Sequence, residues 1–269
     1  MENLKKYNLE NHGFSFLEKI FTDKETNDCK KSLEKIINGV YGTRKPPEKR
    51  FWEIGDDKHS IIKIDKPHLS DQNVWNFITN KRFGVALSNL TKSKKIKVWH
   101  SQLVWKPTSK GSSGNAGWHR DAQYWPFWST KGLYTAWIAI TDVVKNSGPV
   151  RYISNSNHWD KIDGLDFFKK DLKKQDQILT KKNKGFNVVD AILDKGQVCV
   201  HSSLTYHSSA SNSDSSPRVG LVVHFCDESS KRVNVKGQNK SYLNYLHDDS
   251  LAPVTVSYTH LTLPTILLV

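Results

Sequence analysis

The spacing of apolar residues changes character about a third of the way along the chain. Phe14-Ser15-Phe16-Leu17 reads as a short strand. Thr22 and Glu25 then have the spacing of a capping box. Cys29, Leu33, Ile36, Ile37 and Val40 recur at helical spacing, which predicts an amphipathic helix over 22–38. Residues 41–60 are mostly polar, carry Pro46 and Pro47, and read as a loop. Ser70 or Asp71 can cap a second helical stretch with Val74, Trp75, Phe77, Ile78, Val85, Leu87 and Leu90 on its apolar face, and Gly84 divides it in two.

Beyond residue 95 the period becomes two. Along 96–106 the alternation puts Val98, His100, Gln102, Val104 and Lys106 on one face of a strand, and Trp99, Ser101, Leu103 and Trp105 on the other. Ser109 to Gly117 is a Gly/Ser-rich loop. Residues 134–144 form a second strong strand candidate, followed by a Gly148-Pro149 turn and a short strand over 150–154. Residues 158–184 are charged, lysine-rich and partly helical, and read as an insertion between strands. Further β segments fall at 188–193, 197–201 and 219–225. No internal repeat is visible. Helices followed by many short strands predict an α+β, mainly β chain. The expected core is a double-stranded β-helix (a cupin-like jelly roll) with the N-terminal helices packed outside.

Composition sharpens this only in part. A chain of 269 residues with nine Trp can bury a sizeable core. The formal net charge of +13 raises the question of an anionic partner. The lysines are spread from Lys5 to Lys240, however, and form no basic stripe interleaved with aromatics, so a solvated lysine-rich surface is the simpler reading and no nucleic-acid partner is expected. Cys29, Cys199 and Cys226 are an odd number without Cys-x-x-Cys spacing. With no secretory leader and no apolar run long enough for a membrane, they suit a reduced, cytoplasmic protein. From Ser257 onward the chain carries no Lys, Arg, Asp or Glu, an abrupt shift that resembles vector read-through. Residues 1–256 are therefore taken as one domain and 257–269 as a non-native tail, with a genuine strand there as the alternative.

Four residues carry the candidate chemistry. His119 and Asp121 form a His-x-Asp pair, and on a strand both side chains point to one face. Two imidazoles and one carboxylate are the ligand set of non-haem Fe(II) oxygenases. The second histidine has three candidates: His201, His207 and His224. His201 closes a strand-like run and reads as core. His224 shares a strand face with Arg218 but lies roughly 20 Å along it at strand rise. His207 is preferred because it is nearest to Arg218 in sequence and follows the polar, turn-like Ser202-Ser203-Leu204-Thr205-Tyr206.

Several segments resemble the phytanoyl-CoA dioxygenase family of Fe(II)/2-oxoglutarate oxygenases. They are Trp99 to Pro107, Trp118 to Asp121 with Tyr124-Trp125-Pro126, Thr135 to Ile140, Asn146 to Arg151, Tyr206-His207 and Pro217-Arg218, in the family's order over roughly residues 12–226. The resemblance implies a jelly-roll fold that uses Fe(II), 2-oxoglutarate and O2. It implies hydroxylation of a small molecule with release of succinate and CO2. It implies His119, Asp121 and His207 as catalytic iron ligands, and Arg218 as the anchor of the distal carboxylate of 2-oxoglutarate, a task suited to a bidentate guanidinium. Gln102, Lys106, Trp125 and Thr135 stand where family members contact co-substrate or substrate. Two departures are visible. Ile153 to His158 replaces the family's usual Ile-Pro-Gly-Ser-His, and Arg120 stands between the two ligands where a neutral residue is common. An intact Asp121 favours hydroxylation, because halogenating relatives replace this carboxylate by a small residue.

The substrate itself is not legible. Aromatics around 118–128 suggest an apolar or cationic pocket, whereas Arg120, His100 and Arg151 are candidates for holding an anion. Two rival readings remain. A nucleic-acid dealkylase of the same chemistry would usually carry a second arginine six residues after the first, where this chain has His224. A cupin-like metal-binding or sensor protein without turnover would have no need of Arg218.

Overall fold

The computed structural model describes residues 6–109, 111–112, 114–183, 185–233, 246 and 248–257. Among these, two antiparallel sheets face one another. The larger is eight-stranded. Its main path runs through β1 (Phe14–Leu17), β9 (Val198–Ser202), β6 (Leu133–Ala139), β11 (Arg218–Asp227), β4 (Lys95–Lys106), β3 (Ile62–Asp65) and β2 (Lys49–Arg50), and β12 (Val254–Ser257) pairs with the start of β4. The smaller sheet has the order β5 (Ala116–His119), β10 (His207–Ser209), β7 (Val150–Ile153) and β8 (Val188–Asp190).

Alternation along the central strands divides the buried side chains into two layers. Val219, Leu221, Val223 and Phe225 of β11, Ala136 and Ile138 of β6, and Val198 and Val200 of β9 pack against the helices. After a one-turn α1 (Leu9–His12), the helical partners are Cys29, Leu33 and Ile36 of α2 (Asp23–Ile37), Val74, Phe77 and Ile78 of α3 (Gln72–Ile78), and Phe83 and Leu87 of α4 (Lys81–Thr91). The opposite face of the same strands looks into the space between the sheets, where Trp137, Cys199 and Val222 meet Val150, Tyr152 and Val189 of the smaller sheet.

The capping box forms as the sequence predicts. Thr22 Oγ1 accepts from Glu25 N at 3.2 Å, and Glu25 Oε2 accepts from Thr22 N at 2.8 Å. Other expectations need revision. The second helical stretch breaks at Thr79-Asn80, where Asn80 caps α4, and Gly84 lies inside α4. The glycine answers a packing need: a Cβ there would stand 2.7 Å from Val256 Cγ2 and 3.0 Å from Thr255 O. The backbone of β12 thus comes close to α4. Ser257, grouped with the tail on composition, pairs with Lys95, and residues 258–269 lie outside the described residues. Within 41–60, Lys49 and Arg50 form a short edge strand against β3.

Strand β4 carries a bulge. His224 pairs with His100 while Phe225 pairs with Val98, leaving Trp99 as the extra residue. Val98 is thereby turned onto the helix-facing layer with Leu103, not onto the Gln102 face that strict alternation predicts. Trp99 is turned toward Trp125 and His224. The Ile153 to His158 loop keeps a left-handed turn without a glycine: Asn155 adopts φ 67°, a conformation that asparagine tolerates better than most residues. Ser156 Oγ donates to Ile153 O at 2.7 Å and accepts from Tyr206 N at 2.9 Å, which fixes the residue just before His207.

Candidate metal centre

The smaller sheet brings the two chosen histidines together. His119 ends β5 and His207 begins β10, and they are direct partners across the ladder. Their ring centroids are 4.1 Å apart. The strand stops at His119, earlier than the His-x-Asp argument assumed. Arg120 nevertheless stays extended (φ −113°, ψ 137°), so the alternation carries one step further and Asp121 reaches the same side before a 3₁₀ turn begins. The segment 202–206, which reads as turn-like in sequence, leads directly into β10.

The ligand atoms of His119, Asp121 and His207 all lie within 4.8 Å of one another, and all three residues are buried. Backbone carbonyls set the tautomers. His119 Nδ1 donates to Gly117 O at 2.7 Å and His207 Nδ1 to Thr205 O at 3.0 Å. Each ring then turns an unprotonated Nε2 toward Asp121 Oδ1, at 3.8 and 3.7 Å. Burial, and for His207 also the neighbouring His119 and His201 rings, hold both imidazoles below their ordinary range, so they stay neutral. Burial alone would raise the Asp121 carboxyl, but His207, His201 and His224 around it outweigh that and hold it well below the usual carboxylate range. The result is one carboxylate and two imidazole lone pairs converging on one spot, the donor set of a divalent metal.

The other carboxylate oxygen is held from behind. Asp121 Oδ2 accepts from Thr135 Oγ1 at 2.6 Å and from His201 Nε2 at 3.0 Å. His201 Nδ1 in turn meets Tyr152 Oη at 3.1 Å, and Thr135 Oγ1 lies 2.8 Å from His224 Nδ1. Sequence reasoning set His201 aside as core and His224 as too remote, yet both line the same cavity as Arg218. The available signal was parity. His224 and Arg218 share a strand face, and a cavity that runs along the strand admits both.

Arg218 lies against the Trp137 ring, with Cζ 4.9 Å from its centroid. Gly220 makes room for that ring, since a Cβ there would stand 2.1 Å from Trp137 Cζ2. The guanidinium is almost wholly buried, and its Nε and Nη1 have no hydrogen-bond partner among the described residues. Burial pushes it down to about 10, still protonated at neutral pH. An unpaired buried cation of this kind is costly unless an anion joins it.

The four softer candidates divide. Thr135 and Gln102 line the inner cavity, and Trp125 lines a second chamber of about 220 Å³ next to it. Gln102 Nε2 donates to Asp65 Oδ1 at 2.9 Å, and Trp125 stands edge-on to His224 with centroids 4.5 Å apart. Lys106 is fully buried behind the cavity wall, donating to Ser209 Oγ at 2.7 Å and to the Ala210 carbonyl. Burial and the nearby Arg218 hold it well below the ordinary lysine range. The proposed anion holders Arg120, His100 and Arg151 are absent from both chamber walls. Arg120 donates to Trp159 O at 3.1 Å, His100 faces Asp65, and Arg151 lies over Trp118.

Comparisons with known proteins bear on the fold and the family. No curated protein matches the sequence. Solved structures do match the fold. The non-heme alpha ketoglutarate dependent carbocyclase SnoK from nogalamycin biosynthesis is 17% identical with a TM-score of 0.70, over 94% of this chain and 96% of its own. The epimerase SnoN of the same biosynthesis is 18% identical with a TM-score of 0.65, over 91% and 89%. EctD from S. alaskensis, solved with 2-oxoglutarate and 5-hydroxyectoine, is 17% identical with a TM-score of 0.62, over 87% and 80%. These likenesses establish the jelly-roll core with its helices outside. The sequence also matches the family described as phytanoyl-CoA dioxygenase over residues 9–220, which takes in the histidine pair, Asp121, Arg218, the whole smaller sheet and the larger sheet up to the start of β11. The chain belongs to the phytanoyl-CoA dioxygenase family.

Proposed function

We propose that this protein is an Fe(II)- and 2-oxoglutarate-dependent dioxygenase that hydroxylates a small organic substrate and releases succinate and CO2. His119 Nε2, Asp121 Oδ1 and His207 Nε2 would hold the iron, and the Arg218 guanidinium would pair with the distal carboxylate of 2-oxoglutarate. The single observation that carries the reading is the unpaired, buried Arg218 in the same cavity as the His-Asp-His cluster. A metal-storage or sensor site has no use for such a cation, whereas a dicarboxylate joins both ends of the cavity. Hydroxylation in particular is favoured by the intact Asp121, which leaves no gap in the ligand set for a halide.

When bound, iron with 2-oxoglutarate and O2 supplies the oxidant that exchanges a substrate C–H for C–OH. The chain does the rest. The Gly117 and Thr205 carbonyls fix the two imidazoles so that their Nε2 lone pairs converge. Thr135 and His201 bind Asp121 Oδ2, leaving Oδ1 free for the metal and keeping the carboxylate from rotating. Trp137 holds the Arg218 fork by its face. The buried walls keep water from competing for the guanidinium.

Succinate formation tests this. Iron-loaded protein in air is expected to convert 2-oxoglutarate to succinate, slowly without substrate, and His207→Ala to give none. Iron binding without any succinate from the wild type would favour the non-catalytic reading.

A further inference from the structure

The outer chamber contains a cation that the metal and co-substrate do not require. Lys63 projects from β3 into the space shared with His119, Asp121 and His224. Its Nζ lies 4.5 Å from the Phe51 ring centroid and 4.9 Å from that of Phe167. No hydrogen bond or ion pair to Lys63 is found among the described residues. Burial, the largest influence on it, lowers its ammonium from the ordinary value, against the opposing pull of Asp65 and Asp121. Asp65, two positions along the same face, already accepts from Gln102 and faces His100. Two more lysines edge the same rings: Lys49 Nζ is 4.4 Å from the Phe51 centroid and Lys170 Nζ 5.7 Å from that of Phe167.

Positive charge gathers at the rings of this chamber. A metal dication would be balanced by a dicarboxylate co-substrate, and Asp121 is offset by Arg218. Lys63 is left over. Around it the walls are aromatic, with Phe51, Tyr124, Trp125, Phe167 and Phe168. Phe51 and Phe168 are 38% and 56% exposed and leave an apolar rim open beside Lys63.

We propose that the outer chamber is the substrate site and takes an organic anion. A carboxylate or phosphonate oxygen would pair with Lys63 Nζ, and the apolar body would lie against Phe51, Tyr124 and Phe168. This rests on the proposed function for calling the ligand a substrate; the anion site itself rests on Lys63. It moves anion recognition from Arg120, His100 and Arg151, where the sequence suggested it, to a residue the sequence did not mark.

The test uses protein loaded anaerobically with Fe(II) and 2-oxoglutarate, titrated by calorimetry with three probes: 3-phenylpropanoate, phenylphosphonate and the neutral 3-phenylpropanamide. Wild type and Lys63→Arg are expected to bind at least one anion about tenfold or more tightly than the amide, and Lys63→Met to lose that preference. Whichever anion binds better identifies the headgroup. Lys63→Gln, with thermal melts of all variants, separates loss of binding from loss of folding. The visible charge-transfer band of bound 2-oxoglutarate is expected to be unchanged in Lys63→Met. The proposal is overturned if no anion binds the wild type, if the amide binds equally well, or if Lys63→Met keeps the preference. Loss of the band in Lys63→Met also overturns it, by making Lys63 a co-substrate residue. If the wild type forms no band but still prefers the anion in a titration without cofactors, the oxygenase reading fails and the anion site stands.

Discussion

The two faces of β11 are buried alike and do opposite things. Val219, Leu221, Val223 and Phe225 face the helices, and Arg218, Gly220, Val222 and His224 face the smaller sheet. On the helix side, burial removes apolar surface from water, and packing is complete without any ligand. On the other side it strands a guanidinium two of whose nitrogens have no partner among the described residues, and surrounds a carboxylate with imidazoles. What distinguishes site from core is thus unmet polar demand rather than depth. The first face stabilises the fold; the second is held in place by it and completed by ligands.

Substitution on each face should separate these roles. Leu221→Ala is expected to cost about 2–5 kcal/mol of unfolding free energy in urea, and to leave the metal affinity of the folded protein unchanged. Arg218→Met on the other face should cost less than about 1 kcal/mol in the same measurement, since it removes an unpaired buried charge. Equal losses would erase the distinction. Gly220→Ala probes the seam, because its Cβ would meet the Trp137 ring. Overpacking of about 1–3 kcal/mol is expected, with weaker 2-oxoglutarate binding as the ring that supports Arg218 shifts. Unchanged co-substrate affinity would show that Trp137 does not position the guanidinium.

A smaller effect comes from a buried histidine whose polar needs are met. His68 Nδ1 meets Ser101 Oγ at 2.6 Å and Nε2 meets Leu251 O at 3.1 Å. Burial pushes its imidazole down to about 3 from an ordinary 6.5. The unfolded chain therefore takes up a proton below pH 6.5 that the folded chain refuses, and stability falls as pH drops through that window. Between pH 7.5 and 5.5 the loss assigned to His68 is about 1.4 kcal/mol, and His68→Asn should reduce the fall in stability by that amount. An identical slope in the variant would mean that His68 is protonated in the folded protein.

Much of this was written in local pattern. The capping box at Thr22, the period-two runs and the His-x-Asp pair each depend on neighbours a few residues apart, and these were legible. What escaped depends on the third dimension. The bulge at Trp99 shifts Val98 to the opposite layer without any mark in the sequence. His201 looked like core and His224 looked too remote because nothing local shows that Asp121 lies across from them. Lys63 stands in an ordinary alternating strand, and only the folding of β3 beside β4 brings it to the chamber. Arg120 and Arg151 looked functional by type and are absorbed in packing.

The central claim is that Arg218 waits for the carboxylate of a metal-bound co-substrate. Its most direct test is to add Fe(II) and then 2-oxoglutarate without oxygen, and to record the visible metal-to-ligand charge-transfer band for wild type and Arg218→Ala. The account predicts a band in the wild type that Arg218→Ala shows only at much higher 2-oxoglutarate concentration. Iron binding without a band in the wild type, or a band equally easily formed in Arg218→Ala, would contradict it.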